Sequence, residues 1–154
     1  MLFSTKAEYG VRLMVELGRQ PSSQPISLST VAEAERLPLS YLEHLVAKLR
    51  KAGLVTSTRG AHGGYRLAKP AEEIRMDAVV QALEGQIAPM ECFHDAPEGK
   101  VLCSHESDGD HACSTKLLWM RVQGGVTKAL AGTTLAELVE FSAPSGETAV
   151  VSAA

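Results

Sequence analysis

Cys92, Cys103 and Cys113 are the only cysteines of the chain, and they fall in one 22-residue window with His94, His105 and His111. Thiolates with imidazoles nearby are the donors that zinc and iron–sulfur centres take. Three cysteines cannot all pair within one chain, so a disulfide framework is a poor reading. Free cysteines also serve as small buried hydrophobes. Here Glu91, Asp95, Glu98, Glu106, Asp108 and Asp110 make the window polar, which argues against burial. Three Cys and one His would suit structural zinc, although zinc ribbons use close Cys pairs rather than these wide gaps.

These side chains need elements to hold them, and the flanking sequence supplies a recognisable order. Residues 5–18 place Ala7, Val11, Met14 and Val15 at helical spacing, with Gly18 and Pro21 expected to end the helix. Residues 20–27 read as a polar turn. A short helix is predicted at about 29–36, with Thr30 and Glu33 as a capping box. After Leu37-Pro38-Leu39, Ser40 is expected to open a helix to about Ala52, with Glu43 completing a second box. Leu42, Leu45, Val46 and Leu49 form its apolar stripe, opposite Tyr41, His44, Lys48 and Lys51. Gly53 is placed to end it. Residues 54–58 and 65–67 are β-prone around the turn Arg59-Gly60-Ala61-His62-Gly63-Gly64. Residues 76–83 form another helix, stopped by Gly85.

Residues 86–112 show no sustained period, a long loop for a small protein unless it has a purpose. A helix is then predicted over Ser114–Leu130, with Trp119, Val122, Val126 and Leu130 on one face and Leu118 beside them. A second copy of the chain would be the economical cover for that face. Thr134 and Glu137 cap a last helix through Phe141. The fold class is therefore mainly α with a small β wing: a winged helix-turn-helix with a long C-terminal dimerisation helix. Its parts are a DNA-binding domain (1–85), a cluster-binding loop (86–112), dimerisation helices (113–141) and a disordered tail (142–154).

Charge supports a nucleic-acid partner for the front half. The net charge is -3, yet residues 1–70 carry ten Lys/Arg against five Asp/Glu, and residues 71–154 carry five against thirteen. Counterion release depends on the local face, so an acidic total does not exclude DNA. Tyr41 and His44 are candidates for base edges or phosphate, and Ser40 for phosphate at the helix start. Lys48, Arg50 and Lys51 extend the basic face. Arg59, with Gly60, His62 and Tyr65 in the wing, stands where an arginine can enter a minor groove. No run of 18 apolar residues is present, and the N-terminus lacks a signal-peptide pattern, so the cytoplasm is the expected location. Nothing in the chain pairs a nucleophile with a base or forms a phosphate loop, so an enzyme is not expected.

The run Ser40–Val55 resembles the recognition-helix region of the IscR-type winged-helix transcriptional regulators, and Arg59–Leu67 is similar to the wing of that family. The likeness extends over residues 1 to about 141. It implies a homodimer that binds double-stranded DNA at a roughly two-fold operator. It also implies an iron–sulfur cluster, 2Fe-2S before 4Fe-4S, held by Cys92, Cys103 and Cys113, in a regulator of redox, iron or nitric oxide status. Ser40, Tyr41, Glu43, His44 and Arg59 match positions implicated in reading DNA. Two features depart from the family pattern. Ten residues separate Cys92 from Cys103 and nine separate Cys103 from Cys113, wider than the usual short gaps. Lys116 also stands where the assembly regulator has a histidine. A fourth ligand would come from Glu8, from His94, His105 or His111, or from a thiol or water, or a labile site stays open. The alternative is a zinc-containing or cluster-free thiol-switch regulator acting through a protein partner.

Overall fold

The protein is described by a computed structural model that covers residues 3–22, 24–87 and 113–143. Six α-helices and one two-stranded sheet make up these residues: α1 (Thr5–Arg19), α2 (Leu28–Glu35), α3 (Leu39–Lys51), β1 (Val55–Thr58), β2 (Gly64–Leu67), α4 (Met76–Glu84), α5 (Ser114–Ala131) and α6 (Leu135–Phe141). A single 3₁₀ turn, Ala71–Glu73, precedes α4. The expected class, mainly α with a small β wing, is the one observed.

Helix α1 is central because its apolar face meets α2, α3, α4, α6 and β2. Leu13 and Met14 on α1 are fully buried with Leu42, Leu45 and Leu49 of α3, Val79 and Leu83 of α4, and Leu135 of α6. Gly18 does not end α1, contrary to expectation. It lies inside the helix, where a Cβ would come within 2.7 Å of Val139, so the missing side chain lets α6 approach. Buried Glu16 is paired with Arg19, whose guanidinium also donates to the Ser142 carbonyl at 3.2 Å and so holds the end of α6 against α1.

Two caps differ from the sequence reading. Helix α2 starts one residue earlier, capped by Ser27, whose hydroxyl accepts from the Thr30 N–H; Thr30 and Glu33 form no box. Helix α3 begins at Leu39 after Pro38, whose fixed φ suits a helix start, so Ser40 falls inside the first turn and makes no box with Glu43. By contrast, Thr134 and Glu137 form the complete capping box expected for α6. Gly53 follows α3 with a φ of +72°, as its place at the helix end required.

In the antiparallel wing, Val55 pairs with Leu67 and Thr58 with Gly64. A third segment joins it from the stretch read as a plain turn. Ile26 and Tyr65 exchange both backbone hydrogen bonds, at 2.9 and 2.8 Å. Gly64 makes this possible: its φ is +154°, and a Cβ there would lie 2.5 Å from the Ile26 carbonyl oxygen. The return from α5 is fixed similarly. Met76 N–H donates to the Thr133 carbonyl at 3.0 Å, and Leu135 N–H to the Ile74 carbonyl at 2.8 Å.

The loop expected at 86–112 and the tail at 142–154 lie almost wholly outside the described residues, as do Cys92, Cys103, His94, His105 and His111. Among the described residues, no helix is long and apolar enough to cross a membrane.

Replacing Gly64 by Ala should destabilise the fold by about 1–3 kcal/mol, because the side chain would meet the Ile26 backbone rather than a movable neighbour. Urea denaturation followed by far-UV circular dichroism measures this. An unchanged midpoint would mean that the Ile26–Tyr65 seam does not hold the wing.

Candidate nucleic-acid interface and cysteine site

The helix-turn-helix is α2 and α3, and α3 divides cleanly. Leu42, Leu45, Val46 and Leu49 are buried, whereas Ser40, Glu43, His44, Lys48, Arg50 and Lys51 are exposed. The 3.6-residue repeat produces this division, because the apolar positions fall on one side of the helix. No side chain caps the N-terminus of α3. Its first-turn N–H groups, at the positive end of the helix dipole, form a surface suited to phosphate.

The wing follows α3 directly and packs against it. Arg59, Gly60 and His62 are exposed at its tip, and Arg66 is exposed on β2. Arg50 donates to the Ser57 hydroxyl at 3.3 Å and so links α3 directly to β1.

Besides Arg50, three residues of the expected DNA face have partners within the protein. Tyr41 is half-buried, its ring edge-on to Tyr9 with centroids 5.7 Å apart. Tyr65 is half-buried against the core, and its backbone pairs with Ile26. Lys48 is exposed, yet its Nζ donates to the Leu83 carbonyl at 3.0 Å, at the C-terminal end of α4.

Of the proposed sensor residues, Cys113 and Glu8 lie among those described. Cys113 occupies the N-cap position of α5 and is partly exposed. The Thr115 hydroxyl, 3.2 Å from its sulfur, is the main influence that holds the thiol below its ordinary value. The backbone N–H groups of Thr115 and Lys116 add to it. The sulfur closes no capping hydrogen bond, so these N–H groups act as nearby dipoles at the open helix end. Thr115 was not singled out in the sequence; a hydroxyl two residues after a cysteine at a helix start was the available signal.

Glu8 is exposed on α1 and accepts from Arg12 at 2.9 Å, an ordinary i,i+4 ion pair. It borders an apolar cavity of about 410 Å³ between the start of α1, Val80 of α4 and Leu130 of α5. No group of three or more Cys, His, Asp or Glu side chains converges among the described residues. Cys113 and Glu8 alone therefore do not form a metal site there.

Helix α5 carries Trp119, Val122, Val126 and Leu130 as a half-buried stripe, as its periodicity implied. Part of that stripe is spent within the protomer, because Leu130 packs on the core and the Gln123 amide donates to the Ile87 carbonyl at 3.1 Å. The exposed apolar side chains of the helix are Leu117, Leu118 and Met120, each more than half exposed.

Comparison with known proteins agrees with this architecture. A family model described as "Rrf2: Iron-dependent Transcriptional regulator" matches residues 3–141. The protein rrf2 of Nitratidesulfovibrio vulgaris is 37% identical over 139 residues, which span 90% of this chain and 87% of that protein. Among solved structures, CymR, the global cysteine regulator of B. subtilis, superposes with a TM-score of 0.74 at 35% identity, covering 92% of this chain and 98% of that one. IscR of T. potens superposes with a TM-score of 0.72 at 33% identity, covering 95% and 94%. With a winged helix-turn-helix, a long helix beyond it and a family match across nearly the whole length, the chain belongs to the Rrf2 family of DNA-binding transcriptional regulators.

Proposed function

We propose that this regulator senses through cysteine thiolates, with Cys113 as the residue on which the sensor is built. The observation that carries the reading is the partly exposed thiol at the head of α5, held toward its thiolate form by Thr115 and the first-turn N–H groups. The thiolate is both the nucleophile toward oxidants and the ligand toward metals.

The leading reading is a thiol switch. A peroxide would oxidise the Cys113 thiolate to a sulfenic acid, releasing hydroxide. Condensation with the thiol of Cys92 or Cys103 would then give a disulfide and water. The likeness to CymR of Staphylococcus aureus, whose structure is also solved in an oxidized form, supports this reading.

The second reading is an iron–sulfur cluster, supported by the family's description as iron-dependent. Cys92, Cys103 and Cys113 would hold it, with Glu8, His94, His105 or His111 as the fourth ligand. The lowered thiol of Cys113 fits the donor chemistry, but Glu8 would first have to leave Arg12. When bound, such a group supplies one-electron chemistry and lability toward oxidants. In both readings α5 forms the homodimer through Leu117, Leu118 and Met120, whose exposure leaves apolar surface for a second copy. The two heads then meet two half-sites of a roughly two-fold operator, with α3 in the major groove and Arg59 at the wing.

In a variant with Cys113 as its only cysteine (Cys92→Ser, Cys103→Ser), iodoacetamide should react at half-maximal rate at a pH below that of an ordinary thiol. The sign follows from stabilisation of the deprotonated form, and Thr115→Val should shift the profile to higher pH. Protein purified without oxygen and analysed for iron, acid-labile sulfide and zinc decides between the two chemistries. Colourless, metal-free protein with three titratable thiols supports the switch. A visible spectrum with about two or four irons per chain and matching sulfide overturns it in favour of the cluster. Colourless protein holding zinc overturns both. Arg59→Ala should weaken operator binding by about 1–2 kcal/mol, on the order of tenfold, and lower its salt dependence; equal affinity in a gel-shift titration would remove the wing from the interface.

A further inference from the structure

The end of α4 is held from three sides. The Leu83 carbonyl, in the last turn where helix carbonyls lack intrahelical partners, accepts from Lys48 of the recognition helix. The next residue, Glu84, accepts at one carboxylate oxygen from the Ser4 N–H at 3.0 Å, the Ser4 hydroxyl and the Ala7 N–H at 3.2 Å, at the start of α1. Burial pushes this carboxyl up, but the Ser4 and Ala7 donors outweigh it, and the group stays below its ordinary value. Three residues beyond, the carbonyl of buried Ile87 accepts from Gln123 of α5. Leu83–Ile87 therefore joins the helix that Cys113 begins to the helix that faces DNA, through hydrogen bonds at each end.

We propose that Leu83–Ile87 is a relay: it makes the seating of the recognition helix depend on the position of α5, with Lys48 as a positioning residue rather than a DNA contact. The proposal rests on the thiolate-sensor reading. Lys48 suits the role because its ammonium complements the negative end of α4 while its backbone lies in the last turn of α3. Gln123 suits it because its helix is the element that oxidation or ligation of Cys113 would displace. A shift of α5 would draw on Ile87 and, across three residues, on the carbonyl that Lys48 holds. The link between Glu84 and α1 supplies the fixed point about which the segment turns.

Lys48→Met and Gln123→Met each remove a donor while keeping an unbranched, helix-compatible side chain. A duplex is first selected from random-sequence DNA with the wild-type protein. Its affinity is then measured before and after hydrogen peroxide treatment, over a series of potassium chloride concentrations. In the wild type the two states differ in affinity by some factor. Each variant should reduce that factor at least about threefold, and the double variant no further than the stronger single one, as expected for a shared path. The salt slope of Lys48→Met should equal that of the wild type, because no phosphate contact is lost. A wild type that responds, with variants that respond equally, overturns the relay and leaves the sensor standing. A wild type indifferent to peroxide overturns both. Equal loss of affinity in both states, with a salt slope lower by about one, makes Lys48 a phosphate contact and overturns the relay. If Lys48→Met loses its near-UV signal and does not fold, Gln123→Met decides the question by the same readout.

Discussion

Burial of one helix, α1, is the constraint on which the structure depends. Leu13 and Met14 are wholly excluded from water, and the helices that cover them include α3, the second helix of the helix-turn-helix, and α4, which leads toward the cysteine window. An apolar face so covered stabilises by roughly 1.5–3 kcal/mol for each large side chain, more than any surface hydrogen bond described above. The polar links are thus left to set the angles between elements that packing already holds together. Glu84 at the start of α1 and Arg19 at the end of α6 have this role, at opposite ends of the central helix.

The recognition helix is less free than its exposed face suggests. Tyr41 rests on Tyr9, Arg50 reaches Ser57 on the wing, and Lys48 reaches the end of α4. The outer side of α3 is thus divided between groups that face solvent, such as His44 and Lys51, and groups that fix the helix to its neighbours. Lys48 thus joins α3 to the end of α4 by a polar contact outside the apolar core. The same economy appears where the chain returns, because the Met76–Thr133 and Ile74–Leu135 hydrogen bonds join the start of α4 to the start of α6 and close the domain on itself after α5.

The cysteine site is where sequence spacing and local structure speak to different questions. Sequence alone puts Cys92, Cys103 and Cys113 in one window. It says nothing of what lowers the thiol of Cys113, which depends on the sulfur standing at the first residue before a helix with a hydroxyl 3.2 Å away. Glu8 shows the converse. Its type and position fit a ligand, but its i,i+4 neighbour Arg12 already supplies an opposite charge.

Much of the architecture could be read from periodicity. The apolar stripes of α1, α3 and α5, the glycine after α3 and the Thr134–Glu137 box are local patterns, and local patterns are encoded within one or two helical turns. The likeness of residues 40–55 and 59–67 to a known family added the assembly of those pieces. What the sequence could not supply was every feature that needs two distant segments at once. Ser27 rather than Thr30 caps α2, directly after Ile26, whose backbone is paired with Tyr65 of the wing. Gly18 sits within α1, not at its end, because α6 returns across it. Lys48, exposed on α3, reaches a carbonyl 35 residues away for the same reason. Hydrogen-bond partners and close approaches are set by where the packed helices bring the chain, and that is decided only once the core has formed.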